Sequence, residues 1–109
     1  MLMKPNEFKT FLEQLDVQVF YNHTTTDDVV EYPYIVFLDD NWSSFFASNI
    51  TYYETIPYIV ILHAMDRDYD LERRIKRLFT QNCIPYTLND VTWNSEYMFW
   101  QVSFNVELI

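Results

Sequence analysis

Residues 97–109, YMFWQVSFNVELI, carry the clearest pattern in this sequence. Large apolar side chains occupy every second position from residue 98 to residue 108, and polar residues such as Gln101 and Glu107 fill most positions between them. Because successive side chains of a strand point to opposite faces, this alternation predicts a half-buried β-strand. One face of its sheet is expected to pack on a core, and the other to meet solvent or a partner.

The chain before this strand contains four further apolar segments that are typical of strands. They lie at residues 17–21, 32–38, 49–63 and 84–93. The segment 32–38, YPYIVFL, is apolar on both faces, which predicts a central strand. Pro57 is expected to break the segment 49–63, with residues 58–62 continuing as a buried stretch. Asn94-Ser95 predicts a hairpin turn before the last strand.

Two segments have the apolar spacing of amphipathic helices. The first, residues 5–16, has an apolar face formed by Phe8, Phe11, Leu12 and Leu15. The second, residues 66–82, has an apolar face formed by Leu71, Ile75, Leu78 and Phe79. Asp68 is the predicted N-cap of the second helix, and Pro85 prevents its continuation.

The order of segments is helix, strand, strand, long strand, helix and hairpin. Most links suit antiparallel pairing, while residues 58–62, the second helix and residues 84–88 suit one right-handed crossover. The sequence therefore predicts the α+β class, with a single mixed, mostly antiparallel β-sheet and two α-helices packed on one face. A length of 109 residues predicts a single domain over residues 1–109.

Composition excludes several classes of protein. The formal net charge of −9 argues against nucleic acid and anionic membranes as main partners. Cys83 is the only cysteine, so no intrachain disulfide forms and folding in a reducing cytoplasm is expected. No segment approaches the ~20 apolar residues of a membrane span, and residues 1–10 lack the pattern of a signal peptide. The sequence has no glycine, which excludes glycine-rich phosphate loops, dinucleotide fingerprints and nucleophile elbows.

Candidate metal and catalytic residues do not form a recognisable motif. Asp66, Asp68 and Asp70 alternate like the start of a calcium loop, but Leu71 and Arg77 replace its glycine and its bidentate glutamate. The two histidines and the cysteine have no neighbours at zinc-ligand spacing. We therefore expect no metal, no cofactor and no catalytic residue, although a buried pair of acids stays open as an alternative.

Aromatic residues are more numerous than one small core needs, with nine Tyr, nine Phe and three Trp. Residues 39–48, DDNWSSFFAS, are predicted to form a loop that either folds back on the core or faces a partner. The loop supplies the first candidate interaction surface, which comprises Asp39, Asp40, Trp42, Phe45 and Phe46.

Five of the seven basic residues lie between residues 67 and 77, while the rest of the chain is acidic. One interpretation is a solvated helix face with local pairs such as Glu72 with Lys76. The other is a second interaction surface, which comprises Arg73, Arg74, Lys76 and Arg77. A basic helix that meets acidic loops of a neighbouring subunit head-to-tail closes a ring when the rotation closes.

Several short motifs carry a resemblance to a known family. They are YPYIV at 32–36, the Trp/Phe-Ala loop at 41–48, DYDLE at 68–72, NCIPY at 82–86 and SEYM at 95–98. In this order they resemble the small tail-terminator, or tail-completion, proteins of siphophages and prophages. Members of that family usually carry glycine at the position of Cys83, and this chain departs from them there.

The resemblance implies a structural protein without catalysis or cofactor. Its expected partners are further copies of itself in a hexameric ring, the tail tube protein and a head-completion or neck protein. The expected location is the head-proximal end of the virion tail, after assembly in the host cytoplasm. Three other functions stay open: a head-closure or neck connector, a small acidic inhibitor or regulatory module, and a small enzyme with a carboxylate site.

Overall fold

The computed structural model describes residues 4–22, 32–39, 56–96 and 98–108. Its elements are α1 (Pro5–Leu12), a 3-10 helix (Glu13–Leu15), β1 (Gln18–Tyr21), β2 (Tyr34–Asp39), β3 (Ile56–Ala64), α2 (Tyr69–Gln81), β4 (Tyr86–Asn94) and β5 (Phe99–Leu108). Asp39, the first residue of the predicted loop 39–48, instead ends β2. The rest of that loop and the first part of the predicted strand 49–63 lie outside the described residues.

One five-stranded sheet has the strand order β1-β2-β3-β5-β4. Strands β1 and β2 are parallel, and the other three neighbouring pairs are antiparallel. The predicted α+β class with a mixed, mostly antiparallel sheet is therefore confirmed. Because β3 and β4 are both antiparallel to β5, they run parallel to each other, and α2 connects them across β5.

Both helices pack on the same face of the sheet. Phe8 of α1 and Ile75 of α2 are fully buried in one core with sheet residues such as Val60, Val102 and Phe104. The alternation of β5 is confirmed over residues 102–108, where the even-numbered side chains are buried and the odd-numbered ones are not. Burial of this apolar face is the largest favourable contribution to folding.

Pro57 is the second residue of β3, and the residues before Ile56 lie outside the described part of the chain, so the expected break of the segment 49–63 at Pro57 stays a prediction. Pro57 lies opposite Glu107 of β5. The backbone N–H of Glu107 points away from β3 and donates to the carbonyl of Pro85 at 3.1 Å. Pro57 and Glu107 are therefore a non-hydrogen-bonded pair, in which a proline loses no bond to the neighbouring strand.

The first helix is shorter than the predicted range 5–16. The α-helical hydrogen bonding ends at Leu12, and a 3-10 turn leads to Asp16, which has a left-handed φ of 60°. The predicted start of α2 is confirmed, because the carboxylate of Asp68 accepts from the backbone N–H of Leu71 at 3.0 Å. This bond satisfies one of the free donors at the helix N-terminus.

The C-terminus of α2 forms a motif that usually contains glycine, although this sequence has none. The N–H of Ile84 donates to the carbonyl of Phe79 at 2.9 Å, and the N–H of Cys83 donates to that of Thr80 at 3.2 Å. These two bonds define a Schellman motif, whose central residue adopts a left-handed conformation that favours glycine. Here that residue is Cys83, with a φ of 57°.

Candidate interaction surface

The four basic residues predicted as an interaction surface all lie on α2, but they are not equally available. Arg73 and Arg77 are exposed, and Lys76 is half-buried. Arg73 approaches Asp70 only loosely, at 3.9 Å. Arg74 instead donates from its guanidinium to the carbonyl of Leu15 at 3.1 Å, which ties α2 to the end of the 3-10 helix. Arg74 therefore has a structural role that its position in sequence did not reveal.

Of the acidic and aromatic surface predicted around residues 39–48, only Asp39 is described. It lies at the end of β2, half-buried, and its carboxylate accepts from the hydroxyl of Tyr21 on the neighbouring strand. This hydrogen bond, together with burial, raises the pKa of Tyr21 above its usual value. The remaining members lie outside the described residues, and they are Asp40, Trp42, Phe45 and Phe46.

A different set of apolar residues is exposed at one end of the sheet. We define the end surface as Tyr32, Met65, Tyr69, Trp93 and Met98. All five are large side chains with at least 40% of their surface exposed, and Tyr69 reaches 62%. Exposed aromatic and methionine side chains that lie together are characteristic of binding surfaces, whereas scattered ones are not.

The sheet topology places these five residues at one end of the sheet. Strand β3 ends at Ala64, which lies opposite Trp100 at the start of β5. Strand β4 ends beside the start of β5, and β2 begins opposite the end of β3. Tyr32, Met65 and Met98 lie near these strand ends, Trp93 is the penultimate residue of β4, and Tyr69 is the first residue of α2. All five therefore lie at this end of the sheet, although residue 32 and residue 98 are far apart in sequence.

Arg67 and Glu72 form an ion pair beside the end surface. The guanidinium of Arg67 donates two hydrogen bonds to the carboxylate of Glu72, at 3.0 and 3.1 Å. The guanidinium also lies over two aromatic rings. Its central carbon, Cζ, is 4.6 Å from the ring centre of Tyr69 and 5.3 Å from that of Trp100. Trp100 in turn contacts Trp93 at 5.3 Å between ring centres.

The local pair of Glu72 with Lys76, the example given for a solvated helix face, does not form. The carboxylate of Glu72 is directed towards Arg67 and is only 5% exposed. A buried carboxylate requires a close, hydrogen-bonded cation, and a bidentate guanidinium provides one where a solvent-directed lysine does not. The i, i+4 spacing in the sequence does not show that Glu72 pairs with Arg67 and not with Lys76. The partner depends on which side of α2 faces the sheet.

A cavity of about 410 Å³ adjoins the end surface. Its walls combine apolar and acidic side chains, which include Tyr32, Met65, Tyr69, Asp66, Asp68 and Asp70. Arg67 also lines the cavity, but its charge is already paired with Glu72. The chemistry of these walls is therefore that of an aromatic surface with excess negative charge.

His63 lies on the opposite face of the sheet from the helices and is 8% exposed. Its ring stacks on that of Tyr34 at 4.5 Å, and the side-chain amide of Gln101 lies 3.2 Å from Nε2. Nδ1 has no hydrogen-bond partner among the described residues. Burial lowers the pKa of His63 from 6.5 to about 4, although the backbone of Ile61 acts in the opposite direction. The imidazole is therefore neutral at physiological pH.

Within the described part of the chain, no three His, Cys, Asp or Glu side chains are placed to hold a metal ion. No described helix has the length and apolar character needed to cross a membrane. Comparison with protein-family models, curated proteins and solved structures finds no match to this chain.

Sequence reasoning missed the end surface, although two local signals point to it. Tyr69 is a large aromatic residue outside the apolar stripe of α2, where a polar residue is usual. Trp93 and Met98 flank a hairpin turn, where large apolar residues are not needed for the turn itself. That these residues lie at the same end of the sheet as Tyr32 follows only from the strand order.

Proposed function

We propose that this protein is a structural subunit that forms a ring and caps the head-proximal end of a bacteriophage tail tube. In this role it ends tail polymerisation and joins the tail to the head. The observation that carries the proposal is the end surface, a group of exposed aromatic and methionine side chains beside the paired Arg67 and Glu72. The resemblance of the sequence to tail-terminator proteins specifies the kind of assembly.

The composition of the end surface suits a permanent or high-affinity contact. Trp, Tyr and Arg are the residues that most often dominate binding energy at interfaces, because they bury a large area at a small entropy cost. Arg67 is held in place by Glu72 and by two rings before any partner arrives. Such preorganisation reduces the entropy lost on association and strengthens binding.

The basic residues of α2 provide a second, different surface, as a ring requires. Two unlike patches that meet head-to-tail generate a closed ring or an open filament, whereas one self-complementary patch stops at a dimer. The proposed partners are further copies of the chain, the tail tube protein and a head-completion or neck protein. Assembly takes place in the host cytoplasm, and the product is part of the virion.

The first test is the mass of the purified protein in solution, measured by analytical ultracentrifugation over a wide range of concentration and salt. A closed oligomer, with six subunits expected from the resemblance, supports the proposal. The second test is negative-stain electron microscopy with tail tubes from the phage or prophage that carries the gene. Added protein should bind tube ends and block further growth.

Three outcomes contradict the proposal. Binding to portal complexes instead of tube ends indicates a head-closure or neck connector. A protein that remains monomeric both alone and with tail tubes is not a ring-forming terminator. Tight binding to one basic host protein, with no affinity for tails, indicates an inhibitor or regulatory module.

A further inference from the structure

We propose that the end surface of one copy receives the basic stripe of α2 from the next copy, where the basic stripe is Arg73, Lys76 and Arg77. The inference rests on the proposed function, because it assigns the two surfaces that meet in the ring. It replaces the acidic loops predicted from sequence with a described surface as the partner of the basic helix.

The acceptor is acidic as well as aromatic. Asp66 and Asp70 are exposed beside Met65 and Tyr69, and Glu96 is exposed in the hairpin turn between Trp93 and Met98. The N-terminus of α2 carries only about half a positive charge, so these carboxylates determine the sign of the local potential. An apolar surface with an acidic rim favours a partner that presents cations.

One ring of this surface, Tyr69, already binds a guanidinium within the chain. Arg67 lies over both Tyr69 and Trp100, and its charge is paired with Glu72. Tyr69 is 62% exposed and Trp93 is 41% exposed, so both retain ring surface for a second cation. A guanidinium or ammonium group over such a ring is stabilised by the negative face of its π-system.

The basic stripe of α2 is the surface that would insert into the end surface of the next copy. Arg73 and Arg77 are one helical turn apart, so their side chains project from the same side of the helix. Among the described residues, Arg77 has no ion-pair partner and Arg73 has only the loose contact with Asp70. Both guanidinium groups are therefore available without breaking a strong internal bond.

Charge complementarity favours a second copy of this chain as the partner of the end surface. The chain has a net charge of −9, and five of its seven basic residues lie between residues 67 and 77. Two copies therefore repel each other in most orientations, and attraction requires α2 of one copy to approach an acidic surface of the other. The end surface combines that acidity with apolar area that is available for burial.

Charge reversal on each side of the contact tests the inference. The acceptor variant carries Asp66→Lys and Asp70→Lys, and the donor variant carries Arg73→Glu and Arg77→Glu. Asp68 is left unchanged because it caps α2. Each variant alone opposes like charges, so its dissociation constant should rise at least about 100-fold relative to the wild type. Circular dichroism verifies that both variants fold.

Mixing the two variants gives the decisive result. In an equimolar mixture, the lysines of one variant face the glutamates of the other, while the wild-type aspartates and arginines also meet. An alternating oligomer with the mass of the wild-type oligomer should form. Failure of the mixture to assemble, or normal assembly of either variant alone, overturns the inference even when the wild type forms a ring.

Matched control variants distinguish the effect of the local contacts on assembly from the effect of the net charge. Lys4→Glu with Lys9→Glu changes the net charge as much as the donor variant does, and Glu13→Lys with Glu107→Lys matches the acceptor variant. All four positions are exposed and lie outside both surfaces. The control variants should assemble like the wild type. A wild-type chain that stays monomeric, alone and on tail tubes, overturns the proposed function and this contact together.

Discussion

Arg67, in the segment between β3 and α2, and Glu72, in the first turn of α2, are joined by two hydrogen bonds of 3.0 and 3.1 Å. The guanidinium of Arg67 also lies over the ring of Tyr69, which belongs to the end surface, and over that of the neighbouring Trp100. The carboxylate of Glu72 is buried, so the energy of the pair depends strongly on both partners being present.

Replacing Arg67 with Met should destabilise the fold by about 3 kcal/mol, because it leaves a buried carboxylate without its cation. The double variant Arg67→Met, Glu72→Leu should recover most of that loss, because neither charge is then buried. Urea unfolding of the single and double variants measures both effects. Arg73→Ala is the control, since its pair with Asp70 is exposed and loose, and it should change stability by less than about 0.5 kcal/mol.

Replacing Cys83 with Gly should stabilise the protein by about 0.5–1 kcal/mol. A residue with a Cβ is strained in the left-handed conformation that Cys83 adopts, and glycine is not. The greater entropy of glycine in the unfolded chain cancels part of the gain. Cys83→Ala separates the two causes in a thermal melt, because it removes the thiol and keeps the strain. Equal melting temperatures for the Gly and Ala variants would contradict the argument.

Replacing Asp68 with Ala should cost about 1 kcal/mol, because the backbone N–H of Leu71 then loses its capping acceptor. Chemical denaturation followed by circular dichroism at 222 nm measures the change. Asp66→Ala removes a carboxylate of the same charge two residues earlier without removing the cap. A similar loss in both variants would mean that charge, and not the capping bond, stabilises the start of α2.

The stability of the protein should fall as the pH decreases from about 6.5 to about 4. Burial lowers the pKa of His63 to about 4, while the unfolded chain protonates this histidine near pH 6.5. Between these values the unfolded state binds more protons, so the free energy of unfolding decreases by at most about 3 kcal/mol. Above pH 6.5 the imidazole is neutral in both states and contributes no pH dependence.

The variant His63→Phe isolates this effect, because phenylalanine preserves a ring between Tyr34 and Phe99 and does not titrate. The difference in unfolding free energy between wild type and variant should change across the window from pH 6.5 to 4. A difference that is independent of pH would show that His63 titrates normally in the folded protein. NMR titration of its imidazole signals gives the pKa directly.

Replacing Trp93 with Ala should weaken self-association at least about tenfold and leave the fold intact, because Trp93 is 41% exposed within the end surface. Leu88→Ala is the matched control. Leu88 is an exposed apolar residue of the same strand, 49% exposed, but it lies outside the end surface. Sedimentation equilibrium compares the two variants. Equal weakening by both would indicate non-specific hydrophobic association.

Much of the fold follows from local sequence patterns. The alternation in β5, the apolar spacing of α2 and the capping residue Asp68 each depend on neighbours within about ten residues. Backbone geometry converts such patterns directly into strands and helices. Whether β3 can accommodate Pro57 depends on the hydrogen-bonding phase of its pair with Glu107, which belongs to a strand distant in sequence.

The sequence by itself determined the class of the fold, the absence of glycine-dependent sites, and the segregation of positive charge on α2. The tertiary structure alone decided which of those charges are available. It directs Arg74 to the carbonyl of Leu15 and Arg67 to Glu72, and it leaves Arg77 in solvent. The physical reason is that charge pairing and exposed apolar area depend on distances across the sheet, which the strand order sets and local sequence does not encode.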